Sequence, residues 1–276
     1  MFGLHTSHAI HKLSARVPAF FNQLTALLGL IECYIYFFIS LVRYHSIRVK
    51  GDIMLDFKWL VQLLLSTAAE DIPRTLVFFN NTNTLSDVYQ YIMIAGQQLL
   101  GDSDPVVAMY QLVTNHSIKS AIITKLADIT SKLRIVLCSS SLSMGMNLSG
   151  VQYVIHYGIP STTAMFFQET GRVSREVSVH GHSILMKFAR MTSGRKLDAN
   201  MKLYVKGEKC LRNILLSQFK CSKPIDQSKC CDVCDDVDCY MLDLIREGYD
   251  SSITESDSDT DSVASAGEVD DLPLID

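Results

Sequence analysis

The sequence predicts a parallel α/β domain with flanking helices, followed by a small helical module rich in cysteine and an acidic tail without a core. Three observations carry that expectation. Between residues 51 and 192, helical apolar patterns alternate with short runs of β-branched and aromatic residues, the pattern of parallel strands joined by crossover helices. Six of the eight cysteines fall between Cys210 and Cys239. From 248 to 276 there are nine Asp or Glu and no Lys or Arg, and a segment of that kind cannot bury enough apolar surface to fold.

The elements follow in order. Residues 1–50 form an unassigned N-terminal segment. Within it, 24–42 reads LTALLGLIECYIYFFISLV, apolar apart from a few positions and interrupted by Glu32. The length suits a membrane span of roughly 20 residues, but a mid-span carboxylate costs about 2.5–3.5 kcal/mol. Membrane anchoring through 24–42, a buried hydrophobic helix and a mis-joined coding segment all stay open. From Asp56 to Thr67 apolar residues line one helical face. Arg74–Phe79 (RTLVFF) is a buried strand, and the NNTNT of 80–84 supplies turn and cap residues. A helix follows over about 85–99, then a GDSDP loop at 101–105, then a helix over 116–126. Arg134–Cys138 and Val151–Tyr157 are short strands. Residues from Thr162 begin a capped helix, and His182–Phe188 is another strand. The pattern is helical again from Arg195 to Phe219.

The formal charge of −4 averages two unlike parts. Without the acidic tail the body carries +5. A mildly basic body permits a polyanionic partner, although an ordinary solvated surface explains the charge as well. In the tail, Ser252, Thr254, Ser256 and Ser258 each have an acidic residue three positions on. They suit an acidophilic kinase, and the tail suits a protein partner.

Cysteines crowded into one short stretch argue against a disulfide framework spread over the fold and for a local metal site in a reducing compartment. The other reading is buried free thiols.

The segment carrying the most chemistry is Gln168-Glu-Thr-Gly-Arg-Val-Ser-Arg175. Two arginines three residues apart share one helical face. Their planar guanidinium groups keep their charge and match phosphate oxygens, although a surface helix with salt bridges has the same composition. Upstream stand Val136–Val151 (VLCSSSLSMGMNLSGV) and Tyr153–Pro160 (YVIHYGIP).

Together these blocks resemble the second motor domain of superfamily 2 helicases, specifically the RecQ family. The Met144-Gly145 pair, Asn147, His156-Tyr157, Pro160 and the Gln168, Gly171, Arg172, Arg175 set match that family's motifs. Arg74–Phe79 is similar to its entry strand. The resemblance runs from about residue 52 to 239. Ser139 stands for the usual Thr, Ser143 for a common Gly, and Ser174 and Glu176 for a Gly and an Asp. It implies a RecA-like domain over 51–192 and a zinc-binding helical module over 193–240. It also implies an ATP-dependent 3′–5′ DNA helicase of repair or recombination, acting in the nucleus.

In that family Gln168, Gly171, Arg172 and Arg175 would meet ATP bound with Mg²⁺ on a first motor domain. Neither a G-x-x-x-x-G-K-[ST] run nor a DExH carboxylate pair occurs in this sequence. The expected partner is therefore a first RecA-like domain outside the chain. The resemblance also implies a structural Zn²⁺ on Cys210, Cys221, Cys231 and Cys234, with Cys230 and Cys239 as alternates. It implies DNA contacts from Asn80, Asn81, Thr82, Ser139 and Ser140, residues that helix capping explains equally well. The rival from another class is a non-catalytic DNA- or protein-binding remnant of a helicase.

Overall fold

In the computed structural model, the described residues are 41–96, 105–143, 148, 150–173, 181–188, 197–217, 230–235 and 238–253. Six strands form one sheet: β1 (Val42–Arg48), β2 (Thr75–Phe79), β3 (Val107–Tyr110), β4 (Ile135–Ser139), β5 (Tyr153–Tyr157) and β6 (Gly181–Lys187). Their spatial order is β1-β6-β5-β2-β4-β3, and every pairing is parallel. The helices are α1 (Ile53–Asp56), α2 (Lys58–Ser66), α3 (Thr82–Ala95), α4 (His116–Ala127), α5 (Thr163–Thr170), α6 (Ala199–Lys206), α7 (Leu211–Leu216) and α8 (Tyr240–Ile253).

Side chains alternate across a strand, so β2 sends Leu76 and Phe78 into one core and Val77 and Phe79 into the other. Both faces are covered, as an all-parallel sheet requires. This is the expected RecA-like α/β architecture. Asn81 caps α3 through its side chain, accepting from the Asn83 N–H at 2.8 Å, so that helix starts at Thr82, three residues before the expected 85.

Three elements escaped the sequence reading. β1 was placed in an unassigned N-terminal segment, yet it pairs with β6 from Val42 to Arg48. The sheet domain therefore begins at 42, not 51. Val42, the last residue of the apolar stretch 24–42, lies in that strand; residues 24–40 fall outside the described ones. Among the described residues no helix is long and apolar enough to cross a membrane. β3 was missed because four residues are too short for a period to show.

α8 extends to Ile253, six residues into the segment expected to lack structure. Its anchor is apolar: Met241, Leu242 and Ile245 join the second core. Gly248 lies so close to α2 that a Cβ there would stand 3.1 Å from the Trp59 Cβ and 3.3 Å from its backbone nitrogen. The Tyr249 hydroxyl donates to the Asp56 carboxylate, which also accepts from Tyr157 Oη at 2.7 Å and the Gly51 N–H at 2.9 Å. The expected helix over 195–219 is two helices, because Gly207 turns left-handed at φ +67°, a conformation that ends helices and suits glycine. Residues beyond 253 lie outside the described set.

Candidate nucleic-acid interface and metal centre

β2 and β4 are neighbours in register, with Phe79 opposite Ser139. The residues just past their carboxyl ends therefore stand side by side: Asn80, Asn81 and Thr82 after β2, Ser139 and Ser140 at the end of β4. All five expected nucleic-acid contacts converge on one edge. Open α/β sheets bind ligands outside the carboxyl ends of their strands. The fourteen-residue α3 starts there too, and the positive end of its dipole favours a phosphate, although the Asn83 N–H is already capped by Asn81.

The side chains differ in availability. Asn80, Asn81, Thr82 and Ser140 are exposed. Ser139 is buried, with its hydroxyl 2.7 Å from that of Ser141. Asn80 donates through Nδ2 to the Ile159 carbonyl at 2.9 Å, tying this edge to the loop after β5.

That loop leads to α5 and the Gln168–Arg172 segment. Thr162 caps α5 by accepting from the Met165 N–H at 3.2 Å. The helix ends at Gly171, whose N–H donates to the Phe167 carbonyl at 2.8 Å. A Cβ at 171 would stand 2.9 Å from that same oxygen. The glycine of the motif is thus required by close approach, although its φ of −64° is ordinary.

Glu169 and Arg172 are both 4% exposed. The Glu169 carboxylate reaches His156 Nε2 in β5 at 3.0 Å. The Arg172 guanidinium is near enough to Cys138, at the end of β4, to act on its thiol, which burial and the Glu169 charge push up and Arg172 pulls down. In this chain Arg172 therefore points inward. Arg175, expected to share its face, lies outside the described residues, as do Ser174 and Glu176. Gln168 is exposed.

The cysteine module is built on the sheet edge. Cys231 forms a parallel bridge with Tyr44. The Tyr44 N–H donates to the Cys230 carbonyl at 3.0 Å, and the Asp232 N–H donates to the Tyr44 carbonyl at 3.2 Å. The Ser46 N–H donates to the Asp232 carboxylate at 2.7 Å, and Arg212 of α7 donates to the Val42 carbonyl at 3.1 Å. These contacts occupy the free edge of β1, which would otherwise template pairing with another chain.

Cys210, Cys230, Cys231 and Cys234 place their sulfurs within 4.8 Å of one another. Cys210 Sγ lies 3.5 Å from Cys230 Sγ and 4.0 Å from Cys231 Sγ, and the Cys230–Cys231 separation is 3.7 Å. Four thiolates at about 2.3 Å from a tetrahedral zinc stand roughly 3.8 Å apart, so the donor set fits that ion.

Cys231 is the thiol of the four whose surroundings favour the thiolate. The sulfur contact with Cys210, with the backbone N–H groups of Leu211, Val233 and Cys234, outweighs burial and pulls its pKa below the usual thiol range. Among the described residues the fourth thiol is Cys230, an alternate in the sequence reading. Cys221, the first choice, lies outside them. Cys239, the other alternate, sits elsewhere, in the second core.

Residues 56–176 match the family model described as "Helicase conserved C-terminal domain". The chain is 31% identical to the bifunctional 3′-5′ exonuclease/ATP-dependent helicase WRN of Mus musculus, over 37% of this chain and 9% of that protein. It is 27% identical to a protein of Acanthamoeba polyphaga mimivirus provisionally named an ATP-dependent RNA helicase, R290, over 45% of this chain and 25% of that one. Among solved structures, S. cerevisiae Dbp5 L327V bound to RNA and ADP BeF3 aligns at 13% identity and a TM-score of 0.46, covering 76% of this chain and 46% of that one. The matched region thus spans no more than a quarter of the curated relatives' length. Over residues 56–176 the chain carries the conserved C-terminal domain of helicases.

Proposed function

We propose that this chain is the C-terminal motor half of an ATP-dependent 3′–5′ DNA helicase of the RecQ type, working in DNA repair or recombination in the nucleus. The observation that carries this reading is the four-thiol cluster docked on β1 beside a helicase C-terminal domain. The domain is common to many superfamily 2 helicases, whereas the appended cysteine module belongs to the RecQ resemblance. A Zn²⁺ on Cys210, Cys230, Cys231 and Cys234 would close that module, with no open position for chemistry.

The edge at Asn80, Asn81, Thr82 and Ser140 offers short polar donors and a helix N-terminus, groups that hold a phosphate backbone without reading bases. Single-stranded DNA is the proposed occupant. The Gln168–Arg175 segment would face ATP and Mg²⁺ held by a first motor domain, where a guanidinium stabilises charge on the transferring phosphoryl group. Arg175 is the arginine proposed to reach it, because Arg172 is packed inward and supports the segment.

That same burial favours a second reading, a non-catalytic DNA- or protein-binding remnant. Complementation separates the two. A first motor domain supplied in trans or by fusion should give DNA-stimulated ATP hydrolysis if the chain is a motor half. DNA binding without hydrolysis, with both halves folded and associated, selects the remnant.

A further inference from the structure

β1 carries a second cluster on its other side. Tyr44 faces the core that holds Cys230 and Cys231. Its neighbour His45 projects from the opposite face, where Ile47 and Cys239 lie in the second core. There His45 of β1, His182 of β6 and Cys239 just before α8 bring one ring nitrogen each and the Sγ within 4.8 Å of one another. We infer that His45, His182 and Cys239 form a second metal site, distinct from the four-cysteine cluster, for a divalent ion of the zinc class.

The donors are already close to coordinating positions. His45 Nε2 lies 3.1 Å from His182 Nδ1. Two nitrogens bound at about 2.0–2.1 Å to a tetrahedral zinc stand roughly 3.3–3.4 Å apart. The rings are held rather than free. His45 and His182 stack with centroids 5.3 Å apart, and Tyr153 stacks on His182 at 5.1 Å. Parallel pairing of β1 with β6 fixes the backbones beneath both rings.

The site is also costly for the bare protein. His45 is 0% exposed, with its Nε2 turned toward His182. Cys239 is 1% exposed. Two imidazoles and a thiol gathered inside a core are uncommon unless such groups are paired or coordinate a metal. Two imidazoles and a thiolate select zinc-class ions over magnesium or calcium, which prefer oxygen.

Binding would replace the Cys239 S–H bond by a sulfur–metal bond and release the proton to solvent, with no change of oxidation state. His182 is half-buried, so the ion has a route from solvent, and a water can complete the shell on that side. The arrangement stitches α8 to the sheet across two neighbouring strands. It stands whether or not the helicase reading does.

The test uses the full chain, stripped of metal under reducing conditions, reloaded with Zn²⁺ and exchanged into metal-free buffer. Bound zinc is then measured per folded chain. The parent should hold two equivalents. Cys239→Ala and His182→Ala should each hold one. Cys234→Ser should also hold one, lost from the other cluster. Co²⁺ replacement adds an independent signature: the equivalent lost in Cys239→Ala should show the weaker charge-transfer absorption of a single thiolate.

A parent with one equivalent that Cys239→Ala leaves in place overturns the proposal. So does a second equivalent that survives both Cys239→Ala and His182→Ala. Should Cys239→Ala fail to fold by circular dichroism, the half-exposed His182→Ala decides alone. If Cys234→Ser keeps both equivalents while Cys239→Ala loses one, the four-cysteine reading fails and this one holds.

Discussion

His156 in β5 and Glu169 on α5 meet in the core, Nε2 to Oε2, at 3.0 Å with side-chain exposures of 1% and 5%. The imidazole is held between Phe78 and Phe166, with centroids 5.5 and 4.8 Å away. The pair joins two motif blocks that are thirteen residues apart in sequence and sets the turn that carries Gly171 and Arg172. Glu169→Ala strands a buried ring nitrogen. The expected loss of stability is about 1–3 kcal/mol if the pair is a neutral hydrogen bond and about 3–5 kcal/mol if it is an ion pair. Glu169→Gln keeps an acceptor and should lose much less in the first case only. Urea denaturation midpoints of the three proteins check this, and no loss in Glu169→Ala would remove the pair from the account.

The strands at 75–79, 135–139, 153–157 and 181–187 were legible in sequence because each centres on a short apolar run, and together these runs are rich in β-branched and aromatic residues. β1 was not. Its residues VRYHSIR include two arginines and a histidine, and it is an edge strand whose outer side is covered by the cysteine turn. α8 was hidden by composition, since Asp243, Arg246 and Glu247 lie on its solvent face while Met241, Leu242, Ile245 and Gly248 do the packing. The site shows the same division. Asn80 and Ser140 were found by motif, and register alone explains why they converge. Cys230 was undervalued because adjacent cysteines suggest one ligand and one bystander. The His45–His182 contact spans 137 residues and left no local sequence signal.

Asp198 joins the two parts of the chain. Its carboxylate accepts from the Thr163 hydroxyl at 2.9 and 2.8 Å, from the Thr163 N–H, and from the Met201 N–H at 2.7 Å. Burial alone would raise its pKa, but these hydrogen bonds outweigh it and hold the group below the usual carboxylate range. A depressed folded pKa adds stability above the unfolded value of about 3.9 and gives it up as pH falls through the folded one. Stability should therefore drop below about pH 4, and Asp198→Ala should flatten that part of the profile. At neutral pH the variant also loses the cap of α6, about 0.5–2 kcal/mol. Thermal unfolding followed from pH 7 downward measures both effects.

Cys230 and Cys221 compete for the fourth place on the proposed zinc. The Cys230 sulfur stands 3.5 Å from that of Cys210 and 3.7 Å from that of Cys231, so Cys230→Ser should lose the module's metal and Cys221→Ser should keep it. Chelation should destabilise the parent and Cys221→Ser alike, because metal binding and folding of such a module are coupled. Zinc retained in Cys230→Ser but lost in Cys221→Ser would reverse the assignment.

Thr82 and Ser140 are exposed at the carboxyl edge, where a carboxylate would oppose phosphate. Thr82→Glu and Ser140→Glu should each weaken single-stranded DNA binding about tenfold at low salt, equivalent to one charge-assisted contact of about 1.5 kcal/mol. The difference should shrink as salt rises, since backbone contacts are screened. Fluorescence anisotropy at two salt concentrations reads this. Unchanged affinity in both variants would place the nucleic acid elsewhere, and tighter binding of RNA than DNA would set the chain apart from the RecQ type.

The two arginines of the Gln168–Arg175 segment should behave differently, because Arg172 is built into the core and Arg175 is the arginine proposed to reach the nucleotide. Arg172→Ala removes a buried guanidinium beside Glu169 and Cys138, so it should lower the denaturation midpoint and, through that, every activity. An arginine that acts on bound nucleotide rather than in packing is worth little to the fold, so Arg175→Ala should leave the midpoint within about 0.5 kcal/mol of the parent. Its effect should appear only when a first motor domain with ATP and Mg²⁺ is supplied. A guanidinium reaching the transferring phosphoryl group is worth roughly 10³–10⁵ in rate, so the DNA-stimulated hydrolysis restored by complementation should vanish in Arg175→Ala. Arg175→Lys should recover little, since a lysine lacks the planar fork. The measurements are steady-state hydrolysis with and without DNA, beside denaturation curves of both variants. If Arg175→Ala hydrolyses ATP as fast as the parent in a complex that is folded and associated, the arginine has no catalytic role and the remnant reading replaces the motor.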